Sequence, residues 1–124
     1  MAPDLPPDHH PADRPLLVSP RFIELCFQTA GLWEMATESR FGLPQFIRRL
    51  TLLLRADESA GPFYAVVTPN AQAGEFSAEV LDTAGHVYLQ LSGYRTVALP
   101  AALDAAKLEP LRHVMTEVCD VLAV

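Results

Sequence analysis

The segment from Ser19 to about Ala36 most constrains the fold. Ser19 suits a helix N-cap, and Pro20 suits the first helical position, where no backbone N–H is needed. Phe22, Ile23, Cys26, Phe27, Ala30, Trp33 and Met35 then cover most of the circumference of a helix. A helix that is apolar nearly all round is predicted to be buried nearly all round. One acid and one amide interrupt it. Glu24 and Gln28 are four positions apart and therefore share a face. A carboxyl group on a buried helix is expensive unless it is paired or serves chemistry, which makes Glu24 a candidate catalytic acid and Gln28 its support. The competing reading is an acid near a helix N-terminus that faces water, where the helix dipole favours it.

Beyond the helix the hydrophobic period changes. Gly42 and Pro44 mark a loop. Leu50, Leu52 and Leu54 then alternate with Arg49, Thr51 and Leu53, which predicts a strand. Gly61-Pro62 punctuates, and Phe63 to Thr68 reads as a second strand. Residues 69–74 form a turn or loop. Glu75 to Asp82 alternates cleanly, with Phe76, Ala78 and Val80 on one face. Asp82-Thr83-Ala84-Gly85 reads as a hairpin connection. The strand from His86 to about Leu99 places Val87, Leu89 and Leu91 towards the core. Tyr88, Gln90, Ser92 and Tyr94 face the other way, so the two tyrosines are expected at an interface or on the tail helix. Glu109-Pro110 starts that helix, in which Leu111, Val114, Met115, Val118 and Leu122 recur at helical spacing.

Residues 1–18 hold Pro3, Pro6, Pro7, Pro11 and Pro15 and predict a flexible arm. The folded domain is then 19–100, with a helical extension over 101–124. One helix followed by an antiparallel meander of four strands predicts an α+β hot-dog fold: a central buried helix wrapped by a curved antiparallel sheet, with an added C-terminal helix. Four strands are few to enclose such a helix. The missing cover and the open sheet edge predict a second hot-dog unit, as a homodimer partner or as another domain of a longer polypeptide.

A chain of 124 residues is one domain, and its 50% apolar content supplies a core. The net charge of −6 argues against nucleic acid as a partner. No apolar run reaches the roughly 18 residues of a membrane span. The N-terminus has neither a basic nor an apolar signal region. Cys26 and Cys119 both sit in apolar helical contexts and read as reduced, buried thiols, so the expected compartment is the cytoplasm. Neither cysteine has a histidine in a recognisable nucleophile frame, and no residues have structural-zinc spacing. No Gly-rich phosphate loop is present, and His86 and His113 read as surface residues.

Two blocks resemble a known family. The helix Ile-Glu-Leu-Cys-Phe-Gln-Thr-Ala-Gly-Leu-Trp (23–33) is similar to the Leu-Asp-Ala-x-x-Gln helix of polyketide synthase dehydratase domains. The segment Val-Leu-Asp-Thr-Ala-Gly-His-Val-Tyr-Leu-Gln-Leu-Ser-Gly-Tyr-Arg-Thr-Val-Ala-Leu-Pro (80–100) resembles their closing strands. Within those enzymes the resemblance points to the second, C-terminal hot-dog half, and the helix block also looks like that of stand-alone 3-hydroxyacyl-carrier-protein dehydratases. The resemblance implies a lyase acting on 3-hydroxyacyl thioesters carried on the phosphopantetheine of an acyl carrier protein, with no other cofactor. In that family a histidine removes the C2 proton and an acid protonates the leaving hydroxyl, across an apolar tunnel. Glu24 takes the acid position, as Glu where the polyketide enzymes mostly carry Asp. Phe27, Gly31 and Trp33 become candidate substrate contacts, although Trp33 suits the core better than a substrate wall.

For the base, His9 and His10 precede Glu24 in a segment that partly resembles the family's His-x-x-x-Gly-x-x-x-x-Pro loop. Counted from His9, Asp13 and Val18 replace the glycine and the proline. The spacing from His10 to Glu24 equals that between histidine and acid in the stand-alone enzymes. The other source is an N-terminal half outside this chain. Two further functions share the fold: a non-catalytic module that binds an acyl chain or completes a pseudo-dimer, and a thioesterase that would use the acid to activate water.

Overall fold

The computed structural model describes residues 18–55, 61–100 and 104–122, together with Pro11, Asp13, Arg14 and Leu16, and of 118–122 the backbone alone. The order of elements is α1 (Pro20–Glu38), β1 (Gly42–Leu52), β2 (Phe63–Pro69), β3 (Glu75–Asp82), β4 (Val87–Ala98) and α2 (Ala105–Leu122). The result is an α+β arrangement in which α1 packs on a four-stranded antiparallel sheet and α2 packs on α1, consistent with a hot-dog-like fold.

Ser19 does occupy the N-cap with Pro20 behind it, although its hydroxyl makes no capping bond. At the other end, Ser39 adopts a left-handed conformation (φ 54°), and the Arg40 N–H donates to the Glu34 carbonyl. The chain therefore reverses at once into β1, which begins at Gly42 rather than near Arg49. Pro44 is tolerated inside β1 because this is an edge strand, and a bulge at Gln45 follows it. The tail helix also begins earlier than expected. The Asp104 carboxylate accepts the Ala106 N–H at 3.0 Å, so the helix starts at Ala105 and Pro110 lies within it.

The strand order is β1-β4-β3-β2, so only β2, β3 and β4 form a meander. β1 lies beside β4, and the connection to β2 passes from one edge of the sheet to the other.

Two bulges on β4 overturn the expected facing of its tyrosines. Val80 pairs with Leu89 and Leu81 with Val87, which leaves Tyr88 as an extra residue. Phe76 pairs with Tyr94 and Ala78 with Leu91, so Ser92 and Gly93 together oppose Ser77. Each extra residue shifts the alternation by one and turns the next side chain over. Tyr88 and Tyr94 are consequently buried, not at an outer face. Gly93 takes φ +63° at the second bulge, where a Cβ would lie 2.7 Å from the Arg48 Cβ.

Phe22 and Cys26 of α1 bury against Ala78, Val80, Tyr88, Leu89 and Leu91. Ala30, Phe76 and Tyr94 continue the core towards the helix C-terminus. Aromatic contacts join the layers: Phe22 meets Phe63 at 4.7 Å between ring centroids, and Phe27 stacks on Tyr94 at 4.7 Å.

Candidate functional site

On α1 the residues Phe22, Cys26 and Ala30 point into the sheet, and the opposite stripe is Glu24, Gln28 and Leu32, all exposed. Gln28 Nε2 donates to Glu24 Oε1 at 3.0 Å. The acid and the amide thus share a face and touch. The expected burial of the whole helix does not occur in the single chain. Four strands cover only one side of α1, and α2 does not enclose the stripe that carries Glu24. Phe27 and Trp33 are half-buried and engaged in the core, Phe27 on Tyr94 and Trp33 edge-on to Phe76 at 5.6 Å. Among the described residues, a Cβ on Gly31 would meet nothing within 4 Å.

Neither described histidine partners Glu24. His86 lies beyond the β3–β4 turn, where its Nδ1 is 3.0 Å from Asp82 Oδ2. That carboxylate also accepts the Tyr88 hydroxyl at 3.1 Å and the backbone N–H groups of Ala84 and His86. Partial burial pushes the Asp82 carboxyl up, but the hydrogen bonds from His86, Tyr88 and Ala84 outweigh it and hold it below the ordinary carboxylate value. His113 on α2 is exposed and faces Glu117 at 3.2 Å. His9 and His10 lie outside the described residues.

The buried carboxylate on this helix is a different one. Glu34 has 0% exposure and continues the series Phe22, Cys26, Ala30 at intervals of four. Its Oε1 accepts the Thr96 hydroxyl at 2.5 Å and lies 3.4 Å from Arg40 Nη2, which also donates to the Thr96 Oγ1 at 3.0 Å. Among the described residues Oε2 has no hydrogen-bond partner, and it lies against Gly42, where a Cβ would overlap it. The cluster ties the end of α1 to the outer ends of β1 and β4. Reading the apolar stripe one turn further would have found it, because an acid in phase with buried residues must bring its own partners. Arg40 and Thr96, far apart in sequence, carry no such local signal.

Two further buried groups are held in their neutral forms. Burial, then the charges of Glu34 and Glu24, pushes the Tyr94 phenol above its usual range. Burial alone raises the Cys26 thiol to about 11, so this free cysteine is a core residue and a poor nucleophile. The side chain of Cys119 lies outside the described residues. Among the described residues, no three His, Cys, Asp or Glu side chains come together to hold a metal ion, and no helix is long and apolar enough to cross a membrane.

Residues 2–106 match the family model for the polyketide synthase dehydratase N-terminal domain. Neither the curated proteins nor the solved structures give a match. The match corrects the expected half: the domain is the N-terminal one, not the C-terminal one. An acid and an amide four residues apart suit any helix that ties a carboxylate in place, so that block did not distinguish the halves. The expectation that an N-terminal half outside this chain supplies the base loses its ground. His9 and His10 lie within the matched span.

Proposed function

Because the chain belongs to the polyketide synthase dehydratase N-terminal domain family, we propose that it is one hot-dog unit of a dehydratase acting on 3-hydroxyacyl thioesters. The site is completed when a second hot-dog unit, from another copy or another domain, covers the Glu24 stripe. The acyl group arrives on the phosphopantetheine of a carrier protein, in the cytoplasm. Glu24 gives a proton to the C3 hydroxyl as it leaves as water. His9 or His10, or a histidine of the second unit, takes the C2 proton, and the electron pair of that C–H bond becomes the C2–C3 double bond. Enclosure by the second unit also keeps bulk water away from the acid and the thioester. Gln28 orients the acid.

The observation that carries this reading is the contact of Glu24 with Gln28 on the one stripe of α1 that the chain's own sheet leaves open. The sheet offers a place for the second unit. β2 is an edge strand without a charged residue, and its Tyr64 and Val66 are half exposed. A neutral edge is what strand addition needs.

The second reading is a non-catalytic module that completes a pseudo-dimer. It is favoured by the exposure of Glu24 and by the engagement of His86 and His113 with their own acids. One assay separates the readings: a 3-hydroxyacyl pantetheine thioester is supplied to the assembled protein, and both enoyl product and free thiol are measured. Dehydration predicts enoyl product, lost in Glu24→Gln. Free thiol in its place identifies a thioesterase. Enoyl formation that persists in Glu24→Gln rejects the role of the acid, and no turnover at all supports the module.

A further inference from the structure

We propose that the Tyr94 hydroxyl donates a hydrogen bond to the carbonyl oxygen of the bound acyl thioester. This deepens the reading above and rests on it. Tyr94 is 1% exposed, and its ring packs with Phe27, Phe76 and Ala30. A buried tyrosine ordinarily finds a partner for its hydroxyl. Tyr88 does so on Asp82, at 3.1 Å. The Tyr94 hydroxyl has no such partner among the described residues, and unlike Glu34 Oε2 it is not sealed from the surface. The need for a ring does not explain the residue, because Phe22, Phe27, Phe63 and Phe76 supply rings to the same core without a hydroxyl.

Its position along α1 suits that role. The two carboxylates whose charges reach the phenol, Glu34 and Glu24, stand ten residues apart on the helix, so the phenol sits beside the stretch between them. Its stacking on Phe27 sets the level at one helical turn from Glu24, about 5 Å along the axis. Glu24, Phe27 and Gly31 succeed one another at intervals of three and four and share a flank of the helix. That flank is open, since among the described residues nothing stands within 4 Å of a Cβ on Gly31. An acyl group laid along it brings C3 to Glu24 and the carbonyl, two carbons away, towards Tyr94. As the C2–H bond breaks, negative charge builds on the carbonyl oxygen. The electron pair then closes the C2–C3 double bond, and the C3 hydroxyl leaves as water with the Glu24 proton. A fixed donor at the carbonyl stabilises the intervening charge. Tyr94 keeps its own proton throughout, because burial and the two carboxylates hold the phenol neutral.

The test uses the full chain in its assembled state and two probes. The first is a saturated acyl pantetheine thioester with an isotope-labelled carbonyl, which lacks the 3-hydroxyl and cannot dehydrate. On binding to wild type its infrared carbonyl band should move to lower frequency, and in Tyr94→Phe the band should return towards its free position. The second is the 3-hydroxyacyl pantetheine thioester. Tyr94→Phe should lower its kcat by at least about tenfold with KM little changed. The urea midpoint of Tyr94→Phe should stay level or rise, because the hydroxyl holds nothing within the chain. Several outcomes would overturn the assignment: a saturated probe that does not bind, a bound carbonyl band that is the same in both proteins, full kcat in Tyr94→Phe, or a marked loss of stability in that variant. The saturated probe reports on Tyr94 without any turnover. A protein that shifts its band in a Tyr94-dependent way but forms no enoyl product contradicts only the dehydration assigned to Glu24, and one that dehydrates without such a shift contradicts only the role of Tyr94.

Discussion

Gly42→Ala is the most informative single substitution for the fold. The added methyl would overlap Glu34 Oε2, and it would stand 2.8 Å from the Glu34 carboxyl carbon and 2.9 Å from the Thr96 Cβ. None of these atoms is at the end of a free side chain, since Glu34 is fully buried and held by Thr96 and Arg40. Overpacking of this kind costs about 1–3 kcal/mol. Displacing the carboxylate also forfeits a hydrogen bond to a charged group, worth about 1.5–3 kcal/mol. A small gain from a stiffer unfolded chain, up to about 1 kcal/mol, opposes these. The expected net loss is about 3–4 kcal/mol, a large part of the roughly 5–15 kcal/mol that holds a domain folded. Urea unfolding monitored by Trp33 fluorescence measures it directly. The same substitution in a Glu34→Ala background should cost only about 1 kcal/mol, because the clash with Thr96 alone remains. Loss of less than about 1 kcal/mol in the single variant, or an equal loss in both backgrounds, would refute a packed carboxylate against Gly42.

Gly93→Ala should destabilise by about 2–3 kcal/mol, from its left-handed φ and from the contact with the Arg48 Cβ, as read from the unfolding midpoint. Asp82→Asn should reduce stability at neutral pH. Because the folded value of Asp82 is depressed below its ordinary 3.8, the difference from wild type should hold above that value and vanish as pH falls through the folded one, in urea titrations at stepped pH. Cys26 should resist alkylation in the native protein at pH 8 and react on unfolding, followed by mass spectrometry of its peptide; rapid native labelling would contradict its burial and its raised value of about 11.

Much of this architecture can be read from local pattern. β3 was legible to the residue, since Glu75–Asp82 alternates without interruption and its apolar face is the buried one. α1 was legible from Ser19-Pro20 and the apolar spacing. β4 was legible as a strand but not in its facing, because one extra residue at Tyr88 and another at Gly93 reverse the alternation without leaving the strand. Gly42 and Pro44 read as a loop and Pro110 as a helix start, yet Gly42 opens β1 and both prolines sit inside elements. The edge position of β1 tolerates Pro44, and the Asp104 cap sets the start of α2 upstream of Pro110. The placement of β1 beside β4 depends on distant partners and has no local signature. For the candidate site, the contact between Glu24 and Gln28 followed from helical spacing alone. The exposure of Glu24 did not, because apolar composition reports what must be covered and not what covers it. Glu34 was overlooked for the converse reason: a charged residue in the buried phase looks like an exception until Arg40 and Thr96 are brought to it by the turn at Ser39 and by β4.

The most direct test of the half-site is a structure of the assembled particle with a non-reactive 3-hydroxyacyl pantetheine analogue bound. The Glu24 carboxyl is expected inside an apolar passage between two units, within hydrogen-bond reach of the C3 hydroxyl, with a histidine beside C2. A Glu24 that remains in open water in the assembly, with the acyl chain bound elsewhere or not at all, would contradict it.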